Sequence, residues 1–552
     1  MLVSRHRRRA VAGLCAVLAA ALLGSCSGES VASRADQEMA SSEGVAKRSK
    51  PNIVYVLTDD FSENLVKYMP HVRKMKEEGA SFTNFFATDS LCCPSRSSIL
   101  TGQYPHNTGV FTNSGEDGGY GAFKKNGNAK RCFGSALQDA GYRTGFMGKY
   151  LNGYWPDGKK DKGVRKGGSK GVRQGAVRQG KQGKGGKRQL DAAADGVAGR
   201  GASAVASASH VPTGWDEWDV AGDGYKEFDY DLNENGKVVP YGSAPKDYLT
   251  DVLSDKAASF VNTSEKSKKP FILEVATFAP HGPATPAPRD ENTFQNLKAP
   301  RTAAFDKAPT PAPKWQKSIK PLTPEDKAEI DRKFAKRVRS VQAVDDMVGR
   351  LQDQLKKKGL ADDTYFVFGS DNGFHMGEHR LRPGKQTAYD TDIKVPLMVT
   401  GPGVPEGKKI SQLAENTDLS PTFQDLAGEK PASTVDGRSL AGLLRGQKPD
   451  RWRQAALVEH HRAKSKKADP DAAPDNSGNP PDYEALRTSK ELYVEYAGGD
   501  REYYRTDTDP HQLKNRARDM SEKQRTSLHK TLTALKSCRG AKDCEAASQL
   551  QK

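Results

Sequence analysis

Apolar positions along the chain gather into short runs set between longer polar stretches. Five of these runs stand out: Asn52–Leu57 (NIVYVL), Arg143–Gly148 (RTGFMG), Phe271–Phe278 (FILEVATF), Thr364–Gly369 (TYFVFG) and Val395–Gly401 (VPLMVTG). None alternates cleanly between apolar and polar, so each reads as a strand covered on both faces. Helical periodicity lies between them and is clearest after Thr323-Pro324-Glu325-Asp326. Thr323 can cap, Pro324 suits the first turn, and Asp326 completes a capping box. Ile330, Phe334, Val338, Val341, Val344, Met347, Leu351 and Leu355 then recur at spacings of three and four, the signature of a helix face turned to a core. The expected fold is α/β, a large mixed and mostly parallel sheet flanked by helices on both faces. At 552 residues there is room for a smaller C-terminal α+β subdomain as well.

Polar stretches divide the chain. Arginines followed by an apolar run from Ala10 to Leu23 have the form of an export signal, too short to span a membrane comfortably. The run closes on Leu23-Gly24-Ser25-Cys26, which resembles a bacterial lipobox and makes Cys26 a candidate for lipidation. The expected division is a signal peptide over 1–26, a small-residue tether over 27–49, a catalytic domain over 50–446 and a C-terminal subdomain and tail over 447–552. The protein is therefore expected to be exported, either secreted or held at the cell surface by its lipid. Two segments look unable to bury area, a basic and then Ala/Gly/Ser-rich insert over 158–209 and the polar stretch Lys464–Asp482.

The formal charge of +17 invites a nucleic-acid reading, but eleven of those charges lie within residues 158–188 and four in the leader. The remaining body is nearly neutral, which argues against nucleic acid as the partner. The insert itself could concentrate a polyanionic substrate near the site. Seven cysteines include two in the leader; Cys92, Cys93, Cys132, Cys538 and Cys544 remain. Cys538 and Cys544 are close enough for a disulfide, and pairing Cys93 with Cys132 would leave Cys92 odd. An odd thiol in an oxidising compartment flags reactivity or modification.

In an open α/β sheet, ligands bind at the carboxyl ends of the strands. There the chain places Asp59 and Asp60, Lys149, His281, and Asp371 and Asn372. Asp59, Asp60, Asp371 and Asn372 offer oxygen, which suits calcium or magnesium and does not suit zinc. Lys149 and His281 add positive charge or protons, making a site for an anionic tetrahedral group. Cys92 precedes Pro94 and a helix-compatible run, so it stands near a helix N-terminus, with Arg96 in the next turn.

The stretch Cys92-Cys93-Pro94-Ser95-Arg96, followed by Leu100-Thr101-Gly102, resembles the sulfatase signature, and "LTDD", "GSDNG" and "APHGP" resemble other segments of that family. The resemblance runs from about Asn52 to Gly446 and implies an alkaline-phosphatase-like fold. It implies that Cys92 is oxidised to formylglycine by a formylglycine-generating enzyme, that the hydrated aldehyde attacks a sulfate ester, and that one divalent cation, calcium rather than magnesium, assists. By the motifs, Asp59, Asp60, Cys92, Asp371 and Asn372 would meet the cation. Arg96 would orient the hydrate, and Lys149, His281 and Lys385 would contact sulfate or the leaving oxygen. His375 would line the substrate pocket, as Glu378 and His379 could. Cys93 fills the motif's variable position, either buried or bonded to Cys132. One departure is that Lys149 is followed by Tyr150 and Leu151, where many arylsulfatases carry a histidine base two residues on.

The segments "GKYLNGY", "VPTGWDEW", "YDLNENG" and "PKDYLTDVL" resemble the glucosamine-6-sulfatase and heparan 6-O-endosulfatase branch, which suggests a sulfated glycan as substrate. Two other functions compete: hydrolysis of phosphate or phosphonate monoesters by a related site, and non-catalytic binding of polyanions by a surface lipoprotein. The second would require an unmodified Cys92.

Overall fold

The structure, a computed structural model, describes residues 50–158, 211–462 and 476–551. The leader with Cys26, the tether, nearly all of the basic insert and the first part of the Lys464–Asp482 stretch lie outside the described residues.

Ten strands form the main sheet. From edge to edge they are Lys408–Ile410, Ala80–Phe82, Leu397–Thr400, Thr364–Ser370, Asn52–Thr58, Phe271–Ala276, Arg143–Lys149, Glu217–Ala221, Asp231–Glu234 and Lys237–Pro240. The five central strands from Thr364–Ser370 to Glu217–Ala221 run parallel, and antiparallel neighbours flank them. Asn52–Thr58 is buried along its whole length, as its unbroken apolar run requires.

Two strand ends fall short of the apolar pattern for local reasons. The run beginning at Phe271 leaves the sheet after Ala276, where the Thr277 hydroxyl donates to the Ala279 carbonyl at 2.8 Å and turns the chain. The run beginning at Val395 enters only at Leu397, because Pro396 has no N–H to give the ladder.

Helices cover both faces. On one, Pro70–Glu78, Leu249–Ser267 and Pro324–Lys357 pack on Val54, Val56, Leu273, Val275 and Phe368. The long helix starts at the expected capping box: Thr323 Oγ1 accepts from Asp326 N at 3.1 Å, and Thr323 N donates back to Asp326 at 3.0 Å. All eight stripe residues from Ile330 to Leu355 are buried in this core. On the other face, Cys92–Thr101, Phe133–Asp139 and Leu419–Leu426 pack on Ile53, Tyr55, Leu57 and Val367.

A second, antiparallel sheet is built from Ala455–His460, Tyr483–Thr488, Glu491–Tyr496 and Arg501–Arg505. Helix Glu522–Leu535 packs against it through Leu528, Leu532 and Leu535. Cys538 and Cys544 form the expected disulfide. Cys93 and Cys132 do not: both are free and buried, leaving the buried alternative for Cys93. The polar stretch through Asp482 is also corrected in part. Ser477 is fully buried, because Arg382 N donates to the Asn476 carbonyl at 2.8 Å and the Ser477 carbonyl meets His375.

Candidate active site

The parallel strands all end on one edge, so residues far apart in the chain arrive together. Asn52–Thr58 delivers Asp59 and Asp60, Arg143–Lys149 ends on Lys149, Thr364–Ser370 delivers Asp371 and Asn372, and the turn after Ala276 delivers His281. Asp60 has φ of 60°, a left-handed conformation that few residues with a side chain adopt. The Asp60 N–H donates to Asp371 Oδ1 at 3.1 Å, and Asn372 Nδ2 donates to Asp60 Oδ1 at 2.7 Å.

Cys92 opens helix Cys92–Thr101 and is fully buried. Its sulfur lies 3.3 Å from Asp59 Oδ1 and accepts from Lys385 Nζ at 2.7 Å. Lys385 also donates to Asp60 Oδ1 at 2.7 Å, and Lys149 pairs with Asp59. His281 Nε2 is 3.6 Å from Asp60 Oδ2. Its Nδ1 meets the Gly282 carbonyl at 2.8 Å, so Nδ1 carries hydrogen and Nε2 does so only when the ring is charged. Arg96 Nε donates to Asp371 Oδ2 at 2.8 Å and Nη1 to the Lys149 carbonyl at 2.8 Å. The third nitrogen, Nη2, has no hydrogen-bond partner.

Two features fit this cluster to a hard cation. Asn372 Oδ1 is a buried acceptor that receives no hydrogen bond, whereas buried acceptors are ordinarily satisfied. The carboxylates are also crowded. Burial, then the charge of Asp59, pushes the Asp371 carboxyl up to about 7. Burial acts the same way on Asp59, but Lys149, His281, Arg96 and Lys385 outweigh it and hold that group below the usual carboxylate range. Oxygens of Asp59 and Asp60, the Cys92 sulfur and a ring nitrogen of His281 all lie within 4.8 Å of one another.

Asp59, Asp60, Cys92, Arg96, Lys149, His281, Asp371, Asn372 and Lys385 are thus brought together. His375 departs from its expected role. Its Nδ1 meets Asp392 at 2.9 Å and its Nε2 meets the Ser477 carbonyl at 3.1 Å, so neither nitrogen is left for a ligand. Its place is behind the loop that carries Lys385. Gly478, with φ of 83°, lets that same stretch approach closely, since a Cβ there would stand 2.8 Å from the Lys385 carbonyl. His379 is buried and stacked on Tyr389, and burial pushes its ring down to about 3. Glu378 accepts from the Met376 N–H at 2.7 Å, a local loop bond. Leu151, where a histidine base was missing, packs into the core.

Arg337 was not singled out from the sequence. It is fully enclosed, stacks on Phe374 at 4.4 Å, and donates to the Pro280 carbonyl at 3.1 Å and to the Asp60 carbonyl. It therefore ties the Asp60 turn to the His281 turn. A signal was present: Arg337 stands three residues after Phe334 and four before Val341, on the helix face that the stripe turns inward.

Comparison with known proteins adds the following. A family model named Sulfatase matches residues 51–429, and one named N-sulphoglucosamine sulphohydrolase, C-terminal, matches residues 377–538. The chain is 33% identical over 526 residues to the N-acetylglucosamine-6-sulfatase of Capra hircus, covering 90% of this chain and 85% of that protein. It is 31% identical over 424 residues to the extracellular sulfatase SULF-1 homolog of Drosophila melanogaster, covering 75% of this chain and 33% of that longer protein. Among solved structures, BT4656 in complex with its substrate D-glucosamine-2-N,6-O-disulfate aligns with a TM-score of 0.63 at 23% identity, over 88% of this chain and 97% of that one. The phosphonate monoester hydrolase SpPMH of Silicibacter pomeroyi aligns with a TM-score of 0.60 at 20% identity, over 87% and 93%. At these identities the structural likeness speaks to the fold.

Proposed function

The chain belongs to the sulfatase family of sulfuric ester hydrolases, and from that premise we propose that it removes sulfate from the 6-position of a glucosamine unit in a sulfated glycan. The observation that carries the reading is Cys92, whose sulfur sits between the Asp59 carboxylate and the Lys385 ammonium at the centre of the oxygen donors. That sulfur marks the place the hydrate oxygens would take. Asp59, Asp60, Asp371 and Asn372 would hold one divalent cation, and with residue 92 as hydrated formylglycine the pair would supply a strong oxygen nucleophile beside a charge that neutralises sulfate. Calcium is proposed over magnesium because it accepts an irregular shell of oxygens. Relatives named as N-acetylglucosamine-6-sulfatases support the choice of sugar.

The chain's own residues would divide the work. Lys149 and Lys385 would meet the sulfate oxygens as point charges, and Arg96, whose Nη2 makes no hydrogen bond, would orient residue 92. His281, charged beside Asp60, would give the Nε2 proton to the departing alcohol. Because Cys92 is buried in the folded chain, its oxidation by a modifying enzyme would have to precede folding. Export, with a lipid on Cys26 or by secretion, is part of the proposal; the Cys538–Cys544 disulfide and the relative named as extracellular support an oxidising compartment. Among the described residues no helix is long and apolar enough to cross a membrane.

Two measurements test the reading on protein from its native host. Mass spectrometry of the peptide containing residue 92 should find the aldehyde, and purified enzyme should release sulfate from N-acetylglucosamine-6-sulfate faster than phosphate from its 6-phosphate. Chelation should abolish turnover, and added calcium should restore it. An intact thiol at residue 92, or turnover indifferent to chelation, would sink the proposal.

A further inference from the structure

Between His281 and the cap at Thr323 the chain forms a long strap, and its second half is one-sided in charge. From Lys307 to Pro324 there is no Asp or Glu, while Lys307, Lys314, Lys317 and Lys320 are all exposed. Several charges around them are paired, Arg301 with Asp331 at 2.7 Å, Lys327 with Asp306 at 2.8 Å and Arg382 with Asp326 at 2.9 Å, and the Asp500 and Asp509 carboxylates accept from the backbone N–H groups of Lys314 and Lys514 at 2.6 and 2.7 Å. The four strap lysines make no ion pair among the described residues.

The strap is held in place. Pro309, Pro311, Pro313 and Pro321 restrict its backbone. Thr310 N donates to the Leu513 carbonyl at 2.8 Å, Asn515 N returns a bond to the Thr310 carbonyl at 3.0 Å, and Trp315 Nε1 donates to Tyr496 Oη at 3.0 Å. Lys514, also exposed, is bridged to Thr310 and continues the positive surface. Toward the site, Asp306 N donates to the Gly377 carbonyl at 2.8 Å, His379 N to the Ala304 carbonyl at 2.9 Å, and the Gln316 amide to the His379 carbonyl. The strap is thus joined directly to the loop that ends in Lys385.

A rigid row of unpaired cations repels itself, and a polyanion laid along it relieves that repulsion while releasing bound counterions. A single sulfated sugar is already matched by the cations around Cys92 and leaves this row without a partner. We infer that the strap, Lys307 to Lys320 with Lys514, is a docking ledge for further anionic units of a sulfated polysaccharide whose reactive sugar occupies the Cys92 pocket. The inference rests on the function proposed above and extends it from the sugar to the chain.

The test compares the full-length enzyme with K307Q/K314Q/K317Q/K320Q and with a control, K266Q/K269Q/K356Q/K357Q. The control lysines are exposed and lie at the far end of the 34-residue helix Pro324–Lys357, about 50 Å from its start. On heparin at low salt, kcat/KM of the strap variant should fall about tenfold and its salt dependence should weaken, the basic insert over 158–188 supplying what remains. On N-acetylglucosamine-6-sulfate it should match wild type, and the control should match wild type on both. Heparin affinity measured without turnover should fall in the strap variant alone, so the ledge is tested even if the sugar assignment fails. An equal loss in the control, unchanged heparin affinity in the strap variant, or equal competition by duplex DNA would overturn the inference.

Discussion

Among the described residues, two of the buried charge networks differ in whether they close. In one, Arg453 Nη1 donates to Glu415 at 2.7 Å and Nη2 to Asp418 at 2.6 Å. Tyr104 Oη and Leu457 N donate to the two oxygens of Glu415, each at 2.8 Å, and Arg438 N and Glu415 N donate to those of Asp418. Every carboxylate oxygen there is answered from within the chain. Around Cys92, Asp59, Asp60 and Asp371 face Arg96, Lys149 and Lys385, yet Asn372 Oδ1 and Arg96 Nη2 are left without hydrogen-bond partners, Nη2 standing 3.9 Å from Asp59. A closed network specifies the fold; one left open at chosen atoms awaits something the chain does not supply. Three carboxylates against Arg96, Lys149, Lys385 and, when its ring is charged, His281 leave the second network with no large surplus of negative charge, so that one divalent ion would make it a receptor for an anion.

The sharpest break of the comparison is at the nucleophile. Cys92→Ala should lower kcat/KM for a 6-sulfated glucosamine by about five orders of magnitude, the scale on which loss of a covalent nucleophile acts. Its melting temperature should stay within a few degrees of wild type. A residual activity of a few per cent would mean that residue 92 is not the attacking group.

The next contrast sets one carboxylate of each network against the other. Asp371→Asn removes a crowded charge from the open network, sets an amide donor where Arg96 or a backbone N–H now donates, and should cost about a thousandfold in kcat/KM with a smaller loss of metal-free stability than the variant that follows. Asp418→Asn breaks the closed network and should cost about 3 kcal/mol of unfolding free energy, with kcat/KM of the folded fraction within twofold of wild type. Denaturant unfolding and initial rates on both variants decide it. If Asp418→Asn proves as inactive as Asp371→Asn, the division into structural and functional networks is wrong.

How much of this was legible in the sequence follows the range of the interactions. Asp59, Asp60, Lys149, Asp371 and Asn372 could be named because each ends a strand or follows one within two residues, and His281 because it closes the turn that follows Ala276; parallel strands must end on one edge. The buried stripe from Ile330 to Leu355 and the box at Thr323 were equally local. Arg337 was missed because its partner, the Asp60 carbonyl, is 277 positions away and backbone atoms leave no mark in composition. His375 was misassigned for the same reason: Asp392 and the Ser477 carbonyl take both its nitrogens, and Ser477 lies in a polar stretch that reads as loose chain. The open ends of the catalytic network were invisible too, since a motif names residues and not which of their atoms go unpaired.

A third prediction sharpens the closed network through pH. Burial, only partly offset by Arg453, pushes Glu415 from 4.5 up to about 7. The folded state therefore holds a proton that the unfolded state has released, and the stability from this group is fully present below pH 4.5 and lost as pH rises through 7. The change is about 3 kcal/mol across that window if Glu415 alone titrates. Glu415→Gln should flatten this part of the profile, as read by urea unfolding at a series of pH values. An unchanged slope would assign the titration to another buried acid.

The smallest expected effect tests how far a local bond reaches. Thr323→Ala removes the acceptor for Asp326 N at the start of the long helix and should cost about 1 kcal/mol. It should leave kcat/KM unchanged, although the same helix carries Arg337, which grips the Asp60 turn. Fraying from a lost cap spreads about one turn, whereas Ile330, Phe334 and Val338 are buried before and beside Arg337 and fix its backbone independently of the cap. If the variant loses activity in proportion to stability, the first turn and the catalytic edge open together, and the site would be only as rigid as the helix end. If stability falls and activity holds, the packed stripe insulates the open network from its surroundings, and that insulation is what lets unpaired atoms persist in a stable fold.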